Sequence, residues 1–562
     1  MAEDLETMKP SQAPQQPSLP QGSSKTYRSA EHSQALLSGL VALRDSGILF
    51  DVVLKVEGKS IEAHRILLAA SCDYFSLYIC TVYTCLYLNN ACCFQISEVI
   101  QFCCDFLVSW VDEENVLELY KLADIFHLNR LTEQLDTFVL KNFITFSQTQ
   151  MYRQLPLDKV FSLLNSNRLE VASENEVYEG ALLYHYTPEQ LEKDQVSLLE
   201  SPKLLEAVRF PLMDLAILQR LHDKLGLCPL KTTVLKALEY HKNESMQPVM
   251  QGPNTQLRSE FHCVVGFGGM YSAPYTVLSD QVKYLNPLLG EWRPLTAPHA
   301  PRMSNQGIAV LNNFVYLIGG DNNVRGYRAE ARCWRYDPRH SRWFQIQSMQ
   351  QPRADLSVCV LGDFLYAVAG RDYHDELKEV ERYDPFTNTW EYVAPLQKQA
   401  RIFSLFSTTL IFQMYVACGR RGNTYLKDTF CYDPERDQWA SVALSPVRRA
   451  WHGMAALQEK IYLIGGSNDD EGFRQDVLEV ACYSPKTDQW TLVSPLPAGH
   501  GEPGIAVLAK KIFVLGGRSH NQGDRTDYVH VYEAERDYWE DGPRLEDDIS
   551  GMAACVLTLP RS

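Results

Sequence analysis

The sequence lacks the marks of membrane, secreted and nucleic-acid-binding proteins. No uninterrupted apolar run reaches the roughly 20 residues that a membrane-spanning helix needs, and the N-terminus has no basic-then-apolar signal pattern. Basic residues are in deficit, because the formal net charge is −16, whereas binding to nucleic acid requires a basic surface. We therefore predict a cytosolic protein with neither a nucleic-acid nor a membrane partner.

The sequence also lacks the spacings that mark metal sites, disulfide frameworks and common catalytic sites. None of its 15 cysteines belongs to a CxxC pair, so reduced thiols are expected rather than zinc ligands or disulfides. No GxSxG, Walker or dinucleotide-binding glycine motif occurs in a suitable context. The histidines of the C-terminal half are scattered, without the paired ligands that a copper oxidase would need. We predict no catalytic site, no metal and no cofactor.

The second half of the chain instead contains a repeat of about 50 residues, a period typical of kelch-type blades. An apolar strand that ends in a small residue and a glycine recurs six times. A tyrosine precedes a tryptophan by seven residues in the last five copies, with one extra residue in the first. The terminal glycines are Gly269, Gly320, Gly370, Gly419, Gly466 and Gly517, and the pairs are Tyr284/Trp292, Tyr336/Trp343, Tyr383/Trp390, Tyr432/Trp439, Tyr483/Trp490 and Tyr532/Trp539.

The composition of this repeat unit predicts a closed ring of sheets. A fully apolar strand must be buried on both faces, and a four-stranded sheet cannot cover its own apolar faces, so the copies must pack around an axis. The first copy lacks an inner strand, and residues 551–559 supply a spare one. The pattern resembles the kelch repeat, so we predict a six-bladed β-propeller over 261–562, closed by the C-terminal strand.

The first half of the chain resembles two domains that commonly precede kelch repeats. Residues 1–26, rich in Pro, Gln and Ser, are predicted to be disordered. The string around Asp51-Val52 and the run AHRILLAASCDYF at 63–75 resemble the opening of an α/β BTB domain, assigned to 27–102. Helical patterns over 103–245 resemble an all-α BACK domain, and the polar stretch 246–260 is predicted to be a linker. The fold class is therefore multidomain, with α/β, all-α and all-β parts.

This domain order identifies the chain as similar to the kelch-like family of substrate adaptors for cullin-3 ubiquitin ligases. The resemblance implies that the BTB and BACK domains bind cullin-3 and form a homodimer, and that the propeller binds a protein substrate. It implies an adaptor without catalytic activity of its own. It also implies a cytosolic location, with the nucleus or the spindle as further sites, since family members include cell-cycle regulators.

The BTB domain departs from the family pattern. Only 27 residues (76–102) lie between Phe75 and the Cys103-Cys104 pair that opens the helical region, whereas the family places a longer mid-domain segment there, with its cullin contact. The stretch 76–90, SLYICTVYTCLYLNN, is uncharged and suits a strand better than a helix. A splice product or faulty gene model is one explanation, and a shortened working domain is the other. A non-ligase scaffold or dominant-negative isoform is therefore the alternative function.

Loop arginines are the candidate binding residues of the propeller. Guanidinium groups bind carboxylates and phosphates in a bidentate manner, which favours an acidic or phosphorylated segment as the ligand. The alternative is that several of them pair with nearby loop acids. By resemblance, loops after the glycine strands and loops before the inner strands share one rim. The candidates are Arg302, Arg328, Arg371, Arg420, Arg421, Arg448, Arg449, Trp451 and Arg518, with the Arg420-Arg421 and Arg448-Arg449 pairs most expected to keep a free head group.

Overall fold

A computed structural model describes residues 46, 52–56, 59–63, 97–192, 202–225, 228–272, 276–325, 328–397, 404–408, 413–470 and 472–560. The predicted disordered segment 1–26 and the unusual stretch 76–90 lie outside these described residues. The chain divides into two compact units, 1–139 and 140–562.

The first unit contains a hairpin and a group of amphipathic helices. Strand β1 (Val52–Val56) pairs antiparallel with β2 (Lys59–Ala63). Helices α1 (Ser97–Val108), α2 (Val116–Ile125) and most of α3 (Asn129–Lys141) follow. The apolar faces of α2 and α3 are buried, and the Tyr120 hydroxyl on α2 donates to Asp136 Oδ1 on α3 at 2.6 Å.

The second unit begins with further short helices. These are α4 (Phe143–Ser147), α5 (Leu157–Asn165), α6 (Glu174–Leu183), α7 (Pro188–Glu192), α8 (Pro202–Leu205), α9 (Leu215–Lys224) and α10 (Pro229–Lys242), with 3₁₀ turns at Tyr152–Gln154, Phe210–Leu212 and Glu244–Met246. Tyr152 lies at the centre of their core, fully buried, and its hydroxyl donates to Gly180 O at 2.9 Å. A side chain at Gly180 would overlap the Phe143 ring, so glycine permits this close approach.

The C-terminal region is a six-bladed propeller, as predicted. From the inner to the outer strand, the first three blades are β34 (Ala553–Thr558), β3 (His262–Phe267), β5 (Val282–Asn286) and β6 (Glu291–Pro294); β7 (Gly307–Leu311), β8 (Phe314–Ile318), β9 (Cys333–Asp337) and β10 (Arg342–Ile346); and β11 (Ser357–Leu361), β12 (Phe364–Val368), β13 (Val380–Asp384) and β14 (Thr389–Val393). Strand β34 pairs with β3, so the C-terminal strand closes the ring.

The remaining three blades follow the same order. They are β15 (Ser404–Thr408), β16 (Gln413–Ala417), β19 (Thr429–Asp433) and β20 (Gln438–Ser441); β21 (Gly453–Leu457), β22 (Lys460–Ile464), β25 (Val480–Ser484) and β26 (Gln489–Val493); and β27 (Gly504–Leu508), β28 (Lys511–Leu515), β31 (Val529–Glu533) and β32 (Tyr538–Asp541). Short hairpins lie between strands two and three of blades 4, 5 and 6: β17 (Arg420–Arg421) with β18 (Thr424–Tyr425), β23 (Ser467–Asp470) with β24 (Phe473–Asp476), and β29 (Arg518–Ser519) with β30 (Asp524–Arg525). The pair β4 (Met270–Tyr271) and β33 (Ile549–Ser550) belongs to blade 1.

The repeated tyrosine and tryptophan connect neighbouring blades. The Trp490 indole N–H donates to Ala443 O of the preceding blade at 2.8 Å. The Tyr483 hydroxyl donates to Asp488 Oδ1, which also accepts from the Ala443 N–H. The same indole bond recurs at Trp292, Trp390, Trp439 and Trp539. Five of the six blades are therefore fixed to the blade before them by this indole bond, whereas the buried indole N–H of Trp343 in blade 2 has no hydrogen-bond partner among the described residues.

The segment predicted to be a linker is packed rather than extended in solvent. Gln247, Thr255, Arg258 and Ser259 are buried, and the side chains of this segment hydrogen-bond to the helices and to the propeller. Its polar composition therefore serves intramolecular hydrogen bonds, a use that composition alone does not distinguish from solvation.

Candidate functional site

The two predicted loop sets meet at one edge of the propeller. In four blades, the loop before the inner strand forms a β-bridge with the residue that follows the glycine pair: Ser304 with Asp321, Ala354 with Arg371, Ala450 with Ser467, and Gly501 with Arg518. Each bridge therefore joins the loop that precedes the inner strand to the loop that follows the second strand of the same blade. We call the surface that these loops share the rim.

A ring of left-handed residues surrounds the axis at the rim. Asn305, Asp355, Trp451, Glu502 and Gly551 have φ between 51° and 65°, and each lies two residues before an inner strand. Backbone bonds join them between blades: Asn305 N–H to Gly551 O at 2.9 Å, Asp355 N–H to Asn305 O at 3.1 Å, Glu502 N–H to Trp451 O at 2.7 Å, and Gly551 N–H to Glu502 O at 3.0 Å. The ring therefore gathers side chains of distant sequence position around one mouth.

Beneath this mouth, the inner strands enclose a channel of about 670 Å³. Its wall is formed mainly by β7, β11, β21, β27 and β34. The sequence alone does not mark Asn305, Asp355 or Glu502 as site residues, because nothing in their local patterns sets them apart from other loop residues. Only their common position two residues ahead of an inner strand could have indicated the ring.

On the side of blades 2 and 3, two of the three predicted arginines form ion pairs within the chain. Arg371 donates from Nε to Asp355 Oδ2 at 2.5 Å and also pairs with Asp321, and its side chain is largely buried. Burial raises the pKa of Asp321, and Arg371 opposes that rise. Arg302 is exposed but contacts Asp280 Oδ2 at 2.7 Å. These two guanidinium groups therefore have their charge neutralised within the chain.

On the side of blades 4 to 6, two arginines stack on one tryptophan. Arg420 and Arg474 lie over the Trp451 ring, with Cζ atoms 5.4 and 4.4 Å from its centroid, and Tyr425 meets the same ring edge-on at 6.1 Å. Cation–π contact holds the guanidinium groups without neutralising them.

Five arginines make up this cationic arc: Arg420, Arg421, Arg448, Arg474 and Arg518. None of them forms an ion pair with a carboxylate within the part of the chain that the structure describes, and all except the half-buried Arg420 are exposed. We refer to these five residues and Trp451 as the blade 4–6 arc. Arg474, absent from the predicted set, is brought to Trp451 by the β23–β24 hairpin. Arg328 is exposed on the loop of blade 2.

Arg449 corrects the sequence prediction, because its side chain is fully buried and no docking partner can reach it. It donates through Nη1 to Gly465 O at 3.1 Å. Neighbouring residues on extended backbone point to opposite sides, so in the Arg448-Arg449 pair only Arg448 reaches solvent. Arg353 occupies the corresponding buried position in blade 3 and pairs with Glu381.

In blade 6 a histidine pair occupies the positions of that arginine and glutamate. His500 Nδ1 lies 2.6 Å from Gly516 O, and His500 Nε2 lies 2.6 Å from His530 Nδ1. Burial lowers the pKa of His500 to about 4, so its ring is neutral at pH 7. Among the described residues, no group of three or more His, Cys, Asp or Glu side chains could hold a metal ion. Within the same residues, no helix is both long enough and apolar enough to cross a bilayer.

Comparison with family profiles identifies three regions. The KLHDC2/KLHL20/DRC7 Kelch-repeats domain matches residues 259–466 and 306–517. The BACK domain (BTB And C-terminal Kelch) matches 116–223, and the BTB/POZ domain matches 40–143. The three matches begin in the order that the sequence patterns predict, and the BTB and BACK matches overlap over 116–143.

Comparison with curated proteins finds relatives along the whole chain. Kelch-like protein 22 of Xenopus tropicalis is 90% identical, over 100% of this chain and 93% of its own length. Kelch-like protein 22 of Homo sapiens is 63% identical, over 100% of this chain and 94% of its own length. Kelch-like protein 36 of Mus musculus is 35% identical over 96% of this chain and 94% of its own length. The alignments to the first two span 598 positions, 36 more than the 562 residues of this chain.

Proposed function

The chain belongs to the kelch-like family of BTB–BACK–kelch proteins, and from this premise we propose that it is the substrate-recognition adaptor of a cullin-3 RING ubiquitin ligase. In this role the propeller binds the substrate, while the BTB and BACK domains bind cullin-3 and dimerise. The observation that supports it most strongly is the order of the three domain matches along one chain. An interaction domain that precedes a receptor propeller suits a protein that joins two partners.

The adaptor works without catalysis of its own in this proposal. Ubiquitin transfer would be performed by the assembled ligase, and the chain would supply binding and orientation alone. We place the protein in the cytosol, with the nucleus or spindle as further locations, and expect no cofactor.

The substrate site that we propose is the blade 4–6 arc. Two of its five arginines stack on the Trp451 indole. None of the five pairs with a carboxylate among the described residues, although the whole chain carries a formal net charge of −16. A local cationic surface on an acidic protein selects a short anionic segment and disfavours an extended polyanion. Bidentate guanidinium contacts to carboxylate or phosphate supply the specificity. The substrate class is therefore an acidic or phosphorylated peptide segment.

Charge reversal within the arc tests this assignment. The variant Arg421→Glu/Arg448→Glu should lose at least about tenfold affinity for an immobilised peptide of glutamate and phosphoserine residues, since charged hydrogen bonds contribute about 1.5–3 kcal/mol each. The matched control is Arg302→Glu, because Arg302 already pairs with Asp280. Equal losses in both variants would show that the arc is not the binding site.

Calorimetry with the cullin-3 N-terminal domain tests the adaptor role itself. We expect the purified full chain to be a dimer in solution and to bind this domain tightly. A monomeric chain that retains a folded propeller and fails to bind cullin-3 would refute the proposal.

The second candidate function is a scaffold that holds substrate without recruiting the ligase. Two observations favour it. The alignment to the Xenopus tropicalis relative spans 36 positions more than this chain has residues, and the interval 76–102 in the BTB region is short. If the lacking segment carries the cullin contact, this chain acts as a dominant-negative form. The same calorimetric experiment separates the two functions.

A further inference from the structure

Blade 2 differs from the other blades in the turn between its two outer strands. The YDP turn occurs in blades 2, 3 and 4, beginning at Tyr336, Tyr383 and Tyr432. In blade 4, Asp433 accepts from the backbone N–H of Glu435 at 3.0 Å and is partly exposed, and its contact to the exposed Arg436 is 3.6 Å long. A turn of this kind needs only its own local hydrogen bonds.

In blade 2 the same turn is buried against the last helix of the helical region. Asp337 and Arg339 form an ion pair at 2.7 Å, and their side chains are 2% and 6% exposed. Arg339 extends this pair to α10, because its guanidinium donates to the Tyr240 hydroxyl, and it reaches Gln247 Oε1 at 2.9 Å. A bidentate pair with further acceptors satisfies the buried charges, which is the condition under which such a pair is tolerated.

Further contacts in blade 2 reach the segment that follows α10. Arg335 donates to Ser245 O at 3.1 Å, and Asn312 donates to Pro248 O at 2.8 Å. Arg335 and Asn312 come from different strands or turns of this one blade. The blade therefore contacts the 240–248 segment at several separate points, so that rotation about any one contact is prevented.

A second anchor lies at the entry to the propeller. Arg258, with its side chain 3% exposed, pairs with Glu174 at the start of α6 and donates to Leu164 O and Ala207 O at 2.6 and 2.5 Å. Three residues later, Phe261 is already part of blade 1, where its carbonyl accepts from Leu559 N–H at 3.0 Å. Only Ser259 and Glu260 separate the two fixed points, which leaves no length for a hinge.

We propose that blade 2 is a dedicated anchoring blade that, with Arg258, fixes the propeller on the helices of residues 143–242 as one rigid lever. Arg339 is then a positioning residue: it touches no substrate but determines where the blade 4–6 arc is held relative to those helices. The rigid coupling does not depend on the proposed ligase function, whereas its consequence for ubiquitin transfer does.

Distance measurement by electron spin resonance tests the coupling in the full chain. Spin-labelled noncanonical residues replace Glu206, on the helical side, and Glu435, in blade 4, both of which are exposed. The parent chain should give one narrow distance distribution. Arg339→Met should about double its width, because the helix side then loses its principal charged contact. The matched control is Arg436→Met in the corresponding turn of blade 4, which should leave the width unchanged.

A second variant guards against misfolding of blade 2. Tyr240→Phe/Gln247→Ala removes the acceptors on the helical side and leaves the Asp337–Arg339 pair intact, and it should also broaden the distribution. A broad distribution in the parent chain, or widths in both variants equal to that of the Arg436→Met control, would overturn the proposal.

Autoubiquitylation in a reconstituted cullin-3 complex gives the functional readout. Looser coupling should spread ubiquitin over more of the propeller lysines in the Tyr240→Phe/Gln247→Ala variant than in the parent chain, at unchanged affinity for the anionic peptide. An unchanged lysine pattern with a broadened distance distribution would refute the consequence for transfer. Complete absence of ubiquitin transfer in the parent chain would refute the ligase function and leave the distance result standing.

Discussion

The buried ion pair of blade 3 offers the sharpest test of how this propeller is stabilised. Arg353 and Glu381 are both 0% exposed, and their closest atoms are 3.0 Å apart. Glu381 also accepts from the backbone N–H groups of Gln350 and Gln351, at 2.7 and 3.3 Å. Arg353 donates in addition to Ala369 O and Glu379 O. The change Glu381→Ala would leave a charged guanidinium without its counter-charge.

We expect Glu381→Ala to reduce the free energy of unfolding by about 3–5 kcal/mol, because an uncompensated buried charge is more costly than the loss of the pair itself. The double variant Arg353→Met/Glu381→Ala should recover most of this loss, since both charges are then removed. The matched control is Glu391→Ala, whose carboxylate is 57% exposed and pairs with Arg382; such a surface pair contributes about 0–1 kcal/mol.

Urea denaturation followed by tryptophan fluorescence measures these differences in the full chain. Eight of the nine tryptophans lie in the propeller, so the signal reports on this domain. A loss in Glu381→Ala no larger than in Glu391→Ala would refute the reasoning. A double variant as unstable as the single one would also refute it, because the cost would then come from packing and not from the unpaired charge.

Two further predictions concern the histidine pair and the glycine pairs. Burial lowers the pKa of His500 to about 4, so the unfolded chain binds the proton more readily than the folded chain. The free energy of unfolding should therefore fall as pH falls from about 6.5 towards 4, by about 2 kcal/mol at pH 5. Urea titrations at pH 7 and pH 5 measure this fall, which should be smaller in the His500→Gln variant than in the parent chain. The change Gly370→Ala should lower the free energy of unfolding by about 2 kcal/mol or more in the same assay, because Gly370 has φ +92° and an added Cβ would lie 2.7 Å from Ala354 O. The control Ala369→Gly, at the neighbouring position, should alter it by less than about 1 kcal/mol. Equal effects of the two changes would contradict this account.

The glycine pairs show which structural features can be predicted from the sequence. The second glycine of each pair has φ between 86° and 105° in all six blades, a region that residues with a Cβ essentially do not occupy. The first position has φ near 60°, which other residues tolerate at some cost, and Ala369 and Cys418 occupy it in blades 3 and 4. The second glycine alone therefore marks each repeat in the sequence, because its positive φ strongly disfavours residues with a Cβ.

The ion pairs of the loop arginines, by contrast, cannot be predicted from the sequence. Arg302, Arg371 and Arg448 occupy similar loops in the sequence, yet Arg371 is paired with two aspartates, Arg302 with one, and Arg448 with none among the described residues. Asp321 and Asp355, the partners of Arg371, come from loops 34 residues apart. Pairing depends on which loops the ring brings together, and no local pattern records this.

The sequence by itself determined the number of blades, the closing strand and the order of the three domains, since these follow from the period of apolar strands, glycines and aromatic residues. Tertiary structure alone decided which arginines are free, that Arg449 is buried, and that the polar segment 246–260 is packed against its neighbours. The physical reason is that periodicity reports on local backbone conformation and burial, whereas a guanidinium group binds whichever acceptor the fold places within about 3 Å of it.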